Sequence, residues 1–163
     1  MGILSSIFGK KENKPKSSLN TEEYLNFLDA EKFIDNLLKE DAYISNKQYL
    51  DKIASYKKTI DYYSVLESSG MLESYCLNHG VSYENMIKTL DILKNIESCV
   101  DEHNDKYIED KKVKEKSYLD NILKKVDPVI LLDDDQRNVV LSDEDYTLVV
   151  AGAGAGKTTT VAA

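Results

Sequence analysis

The sequence predicts a mainly helical chain that ends in a short strand, a glycine-rich turn and the start of a further helix. Over residues 19–127, apolar side chains recur every three or four positions, which is the period of a helix with one buried face. Residues 147–163, TLVVAGAGAGKTTTVAA, begin instead with an apolar β-branched run and continue with alternating alanine and glycine. We therefore expect a flexible segment at 1–18, a helical domain at 19–127 and the start of an α/β domain at 128–163.

The N-terminal segment MGILSSIFGKKENKPKSS leaves two interpretations open. Met1 to Ser6 fit the M-G-x-x-x-[ST] pattern of N-myristoylation, and the apolar residues before Lys10 could rest on a membrane surface. The alternative, which we favour, is a frayed start followed by a linker rich in Lys, Asn, Pro and Ser. The apolar part is too short for a secretory signal, and no run in the sequence approaches the roughly 20 apolar residues of a membrane-spanning helix.

The helical domain begins near Asn20, which has Glu23 three residues later and therefore predicts an N-cap. The apolar positions that follow at helical spacing are Tyr24, Phe27, Leu28, Ile34, Leu37 and Leu38. A second helix is predicted from five apolar residues that would form one narrow stripe along it, the tyrosine seam. They are spaced four, three, four and three residues apart and are Tyr49, Ile53, Tyr56, Ile60 and Tyr63. So narrow a seam must face a partner helix, and we favour burial over a role of these tyrosines in stacking on bases.

Glycine and proline delimit the remaining helices of this domain. Gly70 and Gly80 enclose a short helix, whose apolar residues are Met71, Leu72, Tyr75 and Cys76. One long helix is expected from Ser82 onward, with Met86, Leu90, Leu93, Ile96 and Val100 on its apolar side. It ends at Asp127, because Pro128 disfavours the α conformation of the residue before it.

Composition and charge limit the functions that the chain can perform. At 163 residues and 42% apolar content, it is long enough to bury one ordinary core. The net charge of −8 argues against a main DNA-binding surface, since DNA phosphates are neutralised by clustered Lys and Arg. Cys76 and Cys99 lie far apart without the spacing of metal ligands, which predicts free thiols in a reducing cytoplasm.

The residues AGAGAGKT predict a phosphate-binding loop between a strand and a helix. Gly152, Gly154 and Gly156 allow a tight bend whose backbone N–H groups can point at phosphate oxygens. Lys157 would balance the charge of the β- and γ-phosphates, and the hydroxyl of Thr158 would be a Mg²⁺ ligand. The alternative is a small-residue turn with a chance GKT, which the β-branched run before the loop disfavours.

The loop departs from the strict pattern G-x-x-x-x-G-K-[ST], because Ala151 stands at its first position. With this alanine, LVVAGAGAGKT resembles motif I of superfamily 1 DNA helicases of the UvrD/Rep type. Upstream, LLDDDQRNVV resembles the Q motif of that family, on a short helix for which Asp133 predicts the N-cap. Gln136 precedes Lys157 by 157 − 136 = 21 residues, close to the interval in these helicases. The resemblance covers residues 131–163.

The resemblance implies a P-loop NTPase (RecA-like) α/β domain that binds ATP and Mg²⁺. The side-chain amide of Gln136 would recognise the N6 amino group and N7 of adenine, although an exposed glutamine on a polar helix is the simpler alternative. Arg137 would support the nucleotide, and Thr158 would be the Mg²⁺ ligand. The implied ATP contacts are Gln136, Arg137, Ala151, Gly152, Ala153, Gly154, Ala155, Gly156, Lys157, Thr158 and Thr159. No residue of the chain is assigned a catalytic role.

A looser similarity begins at His103, where HNDKYIEDKKVKEKSYLDNIL is similar to the segment before the Q motif in helicase IV-like members, which carry an extra helical N-terminal region. The acidic Walker B strand, transition-state arginines and second RecA-like domain of the family do not occur in the sequence. We therefore expect the N-terminal fragment of a cytoplasmic, ATP-dependent DNA helicase, inactive alone, with a helical accessory domain and with DNA bound by downstream domains. Two alternatives stay open, a helical protein-interaction module and a different P-loop ATPase.

Overall fold

The computed structural model describes residues 22–126, 129, 131–154 and 156–162. Its helices are α1 (Glu22–Leu37), α2 (Asn46–Ser55), α3 (Lys57–Ser68), α4 (Leu72–His79), α5 (Tyr83–Lys94), α6 (Ile96–Val126), α7 (Asp134–Leu141) and α8 (Lys157–Ala162). The predicted mainly helical fold is therefore confirmed for the described residues, which contain no β-strand. The predictions for residues 1–21, including the Asn20 N-cap, and those for Asp127 and Pro128 lie outside the described residues.

Helices α1 to α5 and the first turns of α6 enclose one hydrophobic core. Phe27 of α1 and Tyr63 of α3 meet edge to face in this core, with 5.0 Å between their ring centroids. The buried core residues are Phe27, Ala30, Ile34, Leu37, Ile44, Tyr49, Tyr56, Tyr63, Leu72, Cys76, Met86, Leu90, Leu93, Ile96 and Val100. Both cysteines are free thiols, as predicted, with Cys76 buried and Cys99 partly exposed.

The tyrosine seam is buried as predicted, but two helices form it rather than one. Its buried members, each at most 3% exposed, are Tyr49, Tyr56 and Tyr63. The helix breaks at Tyr56 (φ −88°, ψ −1°), whose N–H donates to the carbonyl of Ile53, three residues back, at 3.0 Å. Just before the break, the hydroxyl of Ser55 donates to the carbonyl of Lys52 at 2.6 Å. Such side-chain bonds compete with the helical backbone pattern, and the apolar period alone does not reveal them.

A second break divides the long helix that was predicted from Ser82. Ser82 is the N-cap of α5, and its hydroxyl accepts a hydrogen bond from the N–H of Asn85 at 3.3 Å. At Asn95 (φ −115°, ψ 26°) the chain leaves the helical conformation, and Nδ2 of Asn95 donates to the carbonyl of Asp91 at 3.0 Å. Asparagine forms such local bonds readily, so α5 ends there and α6 begins at Ile96.

One buried asparagine connects α6 to the loop between α1 and α2. Asn104 is 7% exposed. Its Nδ2 donates to the carbonyl of Ile44 at 2.9 Å, and its Oδ1 accepts a hydrogen bond from the N–H of Ile44 at 2.8 Å. The neighbouring His103 places Nε2 at 2.9 Å from the carbonyl oxygen of Ala42. These bonds satisfy backbone groups of a loop that has no helical partner for them.

The C-terminal part of α6 packs against α7, and α7 contacts α8. Leu123 and Leu132 are buried in this region, at 6% and 5% exposure, and they are separate from the main core cluster. The 31-residue helix α6 therefore joins the helical domain to the part of the chain in which the nucleotide-binding residues are predicted.

Candidate functional site

Helix α7 begins with a reciprocal capping box that fixes the side chain of Gln136. The predicted N-cap Asp133 is confirmed, because its Oδ1 accepts a hydrogen bond from the N–H of Gln136 at 2.8 Å. In return, the N–H of Asp133 donates to Oε1 of Gln136 at 2.9 Å. The two bonds satisfy donors that the helix start would otherwise leave unpaired. They also set the direction of the glutamine amide.

The glutamine amide lies against the last glycine of the predicted phosphate loop. Gly156 has φ +71°, and a β-carbon built on it would stand 2.6 Å from Nε2 of Gln136. Gly154 also has a positive φ, +83°, but a β-carbon there would meet nothing within 4 Å. Both glycines thus occupy a left-handed conformation that L side chains rarely adopt, and Gly156 in addition permits the approach of Gln136.

Lys157 closes the loop on itself. Its Nζ donates to the carbonyls of Ala151 and Gly152 at 2.6 and 2.8 Å. One turn later, the N–H and the hydroxyl of Thr160 donate to the carbonyl of Gly156 at 2.9 and 3.1 Å. The lysine therefore ties the beginning of the loop to its end, where α8 starts.

These elements surround a cavity of about 380 Å³. Its lining residues are Asp133, Asp135, Gln136, Val139, Leu148, Val149, Val150, Ala151, Lys157 and Thr160. Of the predicted ATP contacts, Gln136, Ala151 and Lys157 thus come together. Val139 and Thr160 were not predicted, although each lies three residues beyond a predicted contact. On a helix this spacing places two residues on the same face. Val139 and Thr160 could therefore have been predicted from the positions of Gln136 and Lys157.

The strand predicted before the loop is not formed in the described residues, because residues 147–150 have no paired neighbour. A strand requires a partner that receives its backbone hydrogen bonds. The side chains nevertheless alternate. Leu148 and Val150 are 87% and 85% exposed, whereas Val149 between them is partly buried. This alternation has the two-residue period of an extended segment.

Arg137 turns away from the cavity although it follows Gln136 directly. Its side chain is 8% exposed, and Nη2 donates to Oδ1 of Asp120 on α6 at 2.5 Å. The bond from Arg137 lowers the pKa of the Asp120 carboxyl below its ordinary value. Arg137 is not among the residues that line the cavity, so the structure assigns it a contact between helices.

Four of the other predicted ATP contacts are exposed at the surface. Those that are described and exposed are Gly152, Ala153, Gly154 and Thr158. Ala155 and the side chain of Thr159 lie outside the described residues. Among the residues that are described, no group of three or more His, Cys, Asp and Glu side chains could hold a metal ion.

No protein-family model matches the chain, and neither the curated proteins nor the solved structures include a match. In the described part of the chain, no helix is both long enough and apolar enough to cross a membrane.

Proposed function

We propose that this chain supplies the adenine and triphosphate contacts of an ATP-dependent DNA helicase of superfamily 1, the UvrD/Rep type, with a helical accessory domain. The observation that carries the proposal is the contact between Gln136 and Gly156 beside Lys157. Two motifs that are 21 residues apart in sequence, counted from Gln136 to Lys157, line one cavity. A chance glycine turn would have no reason to lie against the glutamine that the Q-motif resemblance singles out.

Gln136 is suited to recognise adenine. Its amide group contains an acceptor oxygen and a donor nitrogen, which match the N6 amino group and N7 of the base. Two carboxylates, those of Asp133 and Asp135, line the cavity beside it. They would repel phosphate, so the neutral base is the part of ATP that fits next to α7.

The loop and Lys157 are suited to the phosphates. The ammonium group of Lys157 already binds two backbone carbonyl oxygens, those of Ala151 and Gly152. Phosphate oxygens carry more negative charge than carbonyl oxygens and would compete for the same ammonium group. The exposed Thr158 hydroxyl is available as an oxygen ligand of Mg²⁺. One such protein ligand is sufficient, because Mg²⁺ at nucleotide sites takes most of its ligands from phosphates and water.

Gln136, Lys157 and the loop would bind ATP, but they would not hydrolyse it. Hydrolysis requires acidic and arginine groups that follow motif I in this family. The acidic helical domain would support the nucleotide site, while DNA would be bound by other domains of a cytoplasmic helicase.

Calorimetric titration of the chain with MgATP tests the proposal. We expect the wild-type chain to bind MgATP, and Lys157→Ala to lose at least about tenfold in affinity because the phosphates lose their cation. Gln136→Ala should weaken the binding of MgATP but not that of magnesium tripolyphosphate, because the latter has no base. Lys58→Ala, an exposed lysine on α3, is the matched control. Equal MgATP affinities of the wild-type and Lys157→Ala chains would contradict the proposal.

A further inference from the structure

Arg137 joins two elements through one buried guanidinium group. Nη2 donates to Asp120 on α6 at 2.5 Å, and Nε donates to the carbonyl of Leu132 at 3.2 Å. Leu132 immediately precedes the N-cap residue Asp133. The arginine therefore binds the start of α7 on one side and the long helix α6 on the other.

The carboxylate of Asp120 is the partner on which this arrangement depends. In the described residues, Nη1 of Arg137 is buried and has no hydrogen-bond partner. A buried guanidinium without a counter-charge is strongly disfavoured. Asp120 therefore keeps the Arg137 side chain buried between α6 and α7. If the carboxylate lost its charge, the guanidinium would move toward water and release Leu132.

Helix α6 holds Asp120 in a fixed place relative to the helical domain. The same helix carries Asn104, which binds both backbone groups of Ile44. The two positions are separated by 120 − 104 = 16 residues of continuous helix, or about 24 Å. The bundle, Asp120, Arg137 and the first residues of α7 thus form an unbroken series of contacts.

The end of this series is the glutamine that faces the loop. The capping box ties the Gln136 amide to the N–H of Asp133, the residue after Leu132. The approach to Gly156 is so close that even a methyl group there would clash with Nε2. A shift of α7 by about 1 Å would therefore change what the amide can contact.

We infer that Asp120 is a positioning residue for base recognition: through Arg137 it holds α7 where the Gln136 amide meets Gly156 and the nucleotide base. The inference rests on the proposed function, since it assumes that the cavity binds ATP. Asp120 itself touches no part of the nucleotide and acts through Arg137 and Gln136.

The test compares Asp120→Asn, Gln136→Ala and the double variant with the wild-type chain. Asp35→Asn is the matched control, because Asp35 is an exposed carboxylate of α1 that pairs with Lys39 at 3.1 Å. Affinities for MgATP and for magnesium tripolyphosphate are measured by calorimetry. The side-chain amide resonances of Gln136, assigned from their loss in Gln136→Ala, are recorded in parallel.

We expect Asp120→Asn to lower the affinity for MgATP about tenfold. Its affinity for magnesium tripolyphosphate should stay within about twofold of the wild-type value. The double variant should bind MgATP no more weakly than Gln136→Ala, because both changes remove one interaction. Asp120→Asn should shift the Gln136 amide resonances, and Asp35→Asn should not. If Asp120→Asn does not fold, Asp120→Glu takes its place. It keeps the charge but displaces the carboxylate, so it should shift the Gln136 amide resonances and weaken MgATP binding by less than Asp120→Asn is expected to.

Additive losses in the double variant, or an equal loss of tripolyphosphate binding, would overturn the inference. A wild-type chain that binds neither compound would refute the proposed function instead. In that case base recognition falls with it, and the resonances decide only whether Asp120 positions the Gln136 amide. Unchanged Gln136 resonances in Asp120→Asn would overturn this positioning, and shifted ones would support it.

Discussion

Gln136 and Gly156 are in such close contact that a β-carbon at position 156 would stand 2.6 Å from Nε2 of Gln136 and would displace the end of that side chain. The contact joins the start of α7 to the last glycine of the loop. It also distinguishes this glycine from Gly154, which has a similar backbone conformation in open space.

We expect Gly156→Ala to weaken MgATP binding by about tenfold or more. The alanine would have to adopt φ +71°, at a cost of about 1–2 kcal/mol, and would push the Gln136 amide away. The main core lies in α1 to α6 and is not touched. The variant should therefore remain folded in circular dichroism while it loses affinity in calorimetry.

Gly154→Ala is the control for backbone strain. It would place alanine at φ +83° with nothing within 4 Å, so it shares the strain but not the clash. The two variants should differ in MgATP affinity and in the resonances of the Gln136 amide. Identical effects would show that strain in the loop, rather than contact with Gln136, governs binding.

Replacing Asn104 by alanine should destabilise the helical domain. Two backbone groups of Ile44, which is 2% exposed, would lose their partners. Each buried unsatisfied group costs about 1–3 kcal/mol, so the free energy of unfolding should fall by about 2–6 kcal/mol in urea titrations. Asn121→Ala, an exposed position on the same helix, should change it much less. Similar losses for both would contradict the assigned role of Asn104.

Two adjacent tyrosines on α3 should respond very differently to truncation. Tyr63 is 0% exposed and Tyr62 is 42% exposed, although their rings are 5.0 Å apart. Tyr63→Ala would leave a cavity in the core and should cost about 3–5 kcal/mol of unfolding free energy. Tyr62→Ala should cost far less, and urea unfolding of both variants measures the difference. Equal losses would refute burial of the seam.

The stability of the domain should depend on the charge of Asp29 at acidic pH. The Tyr56 hydroxyl donates to Oδ2 of Asp29 at 2.5 Å, and Nζ of Lys52 donates to the same oxygen at 2.9 Å. Both bonds lower the pKa of Asp29 below its ordinary value of 3.8, and the bond from Tyr56 has the larger effect. A lowered folded-state pKa stabilises the fold above the unfolded value, and the stabilisation is lost as the pH falls through the folded-state pKa.

Urea unfolding of wild-type and Asp29→Asn chains between about pH 6 and about pH 2.5 tests this expectation. The difference in unfolding free energy between the wild-type and Asp29→Asn chains should be constant at about pH 6 and should shrink as the pH falls below the ordinary pKa of Asp29. Tyr56→Phe removes the hydrogen bond that lowers the Asp29 pKa most while retaining the ring, and should reduce the pH dependence. A difference between wild type and Asp29→Asn that does not change with pH would exclude the role of the carboxylate.

Features that depend on neighbouring residues could be predicted from the sequence. The N-cap Asp133 follows from local hydrogen bonding, the start of a helix after Ser82 follows from the apolar period, and the buried tyrosines follow from their spacing. The helix breaks at Tyr56 and Asn95 could not be predicted in this way. The apolar period continues across both, and each break coincides with a side-chain bond to the backbone.

Features that depend on how the helices pack against each other could not be predicted from the sequence. The resemblance that singles out Gln136 also assigned Arg137 to the nucleotide, because the two stand at the glutamine and arginine positions of the Q motif. On a helix, adjacent side chains point about 100° apart, and Arg137 instead meets Asp120, 137 − 120 = 17 residues earlier. Only the packing of α6 against α7 determines that pairing.

The continuity of α6 limits how its length can vary. Deleting one residue between Asn104 and Asp120 would rotate the carboxylate, together with the helix α7 that it holds, by about 100° around the helix axis relative to the bundle. Deleting seven would return it to within about 20° of its direction, but about 10 Å closer to the bundle. Insertions and deletions in this helix are therefore expected in near-whole turns, with compensating changes in the connection to α7.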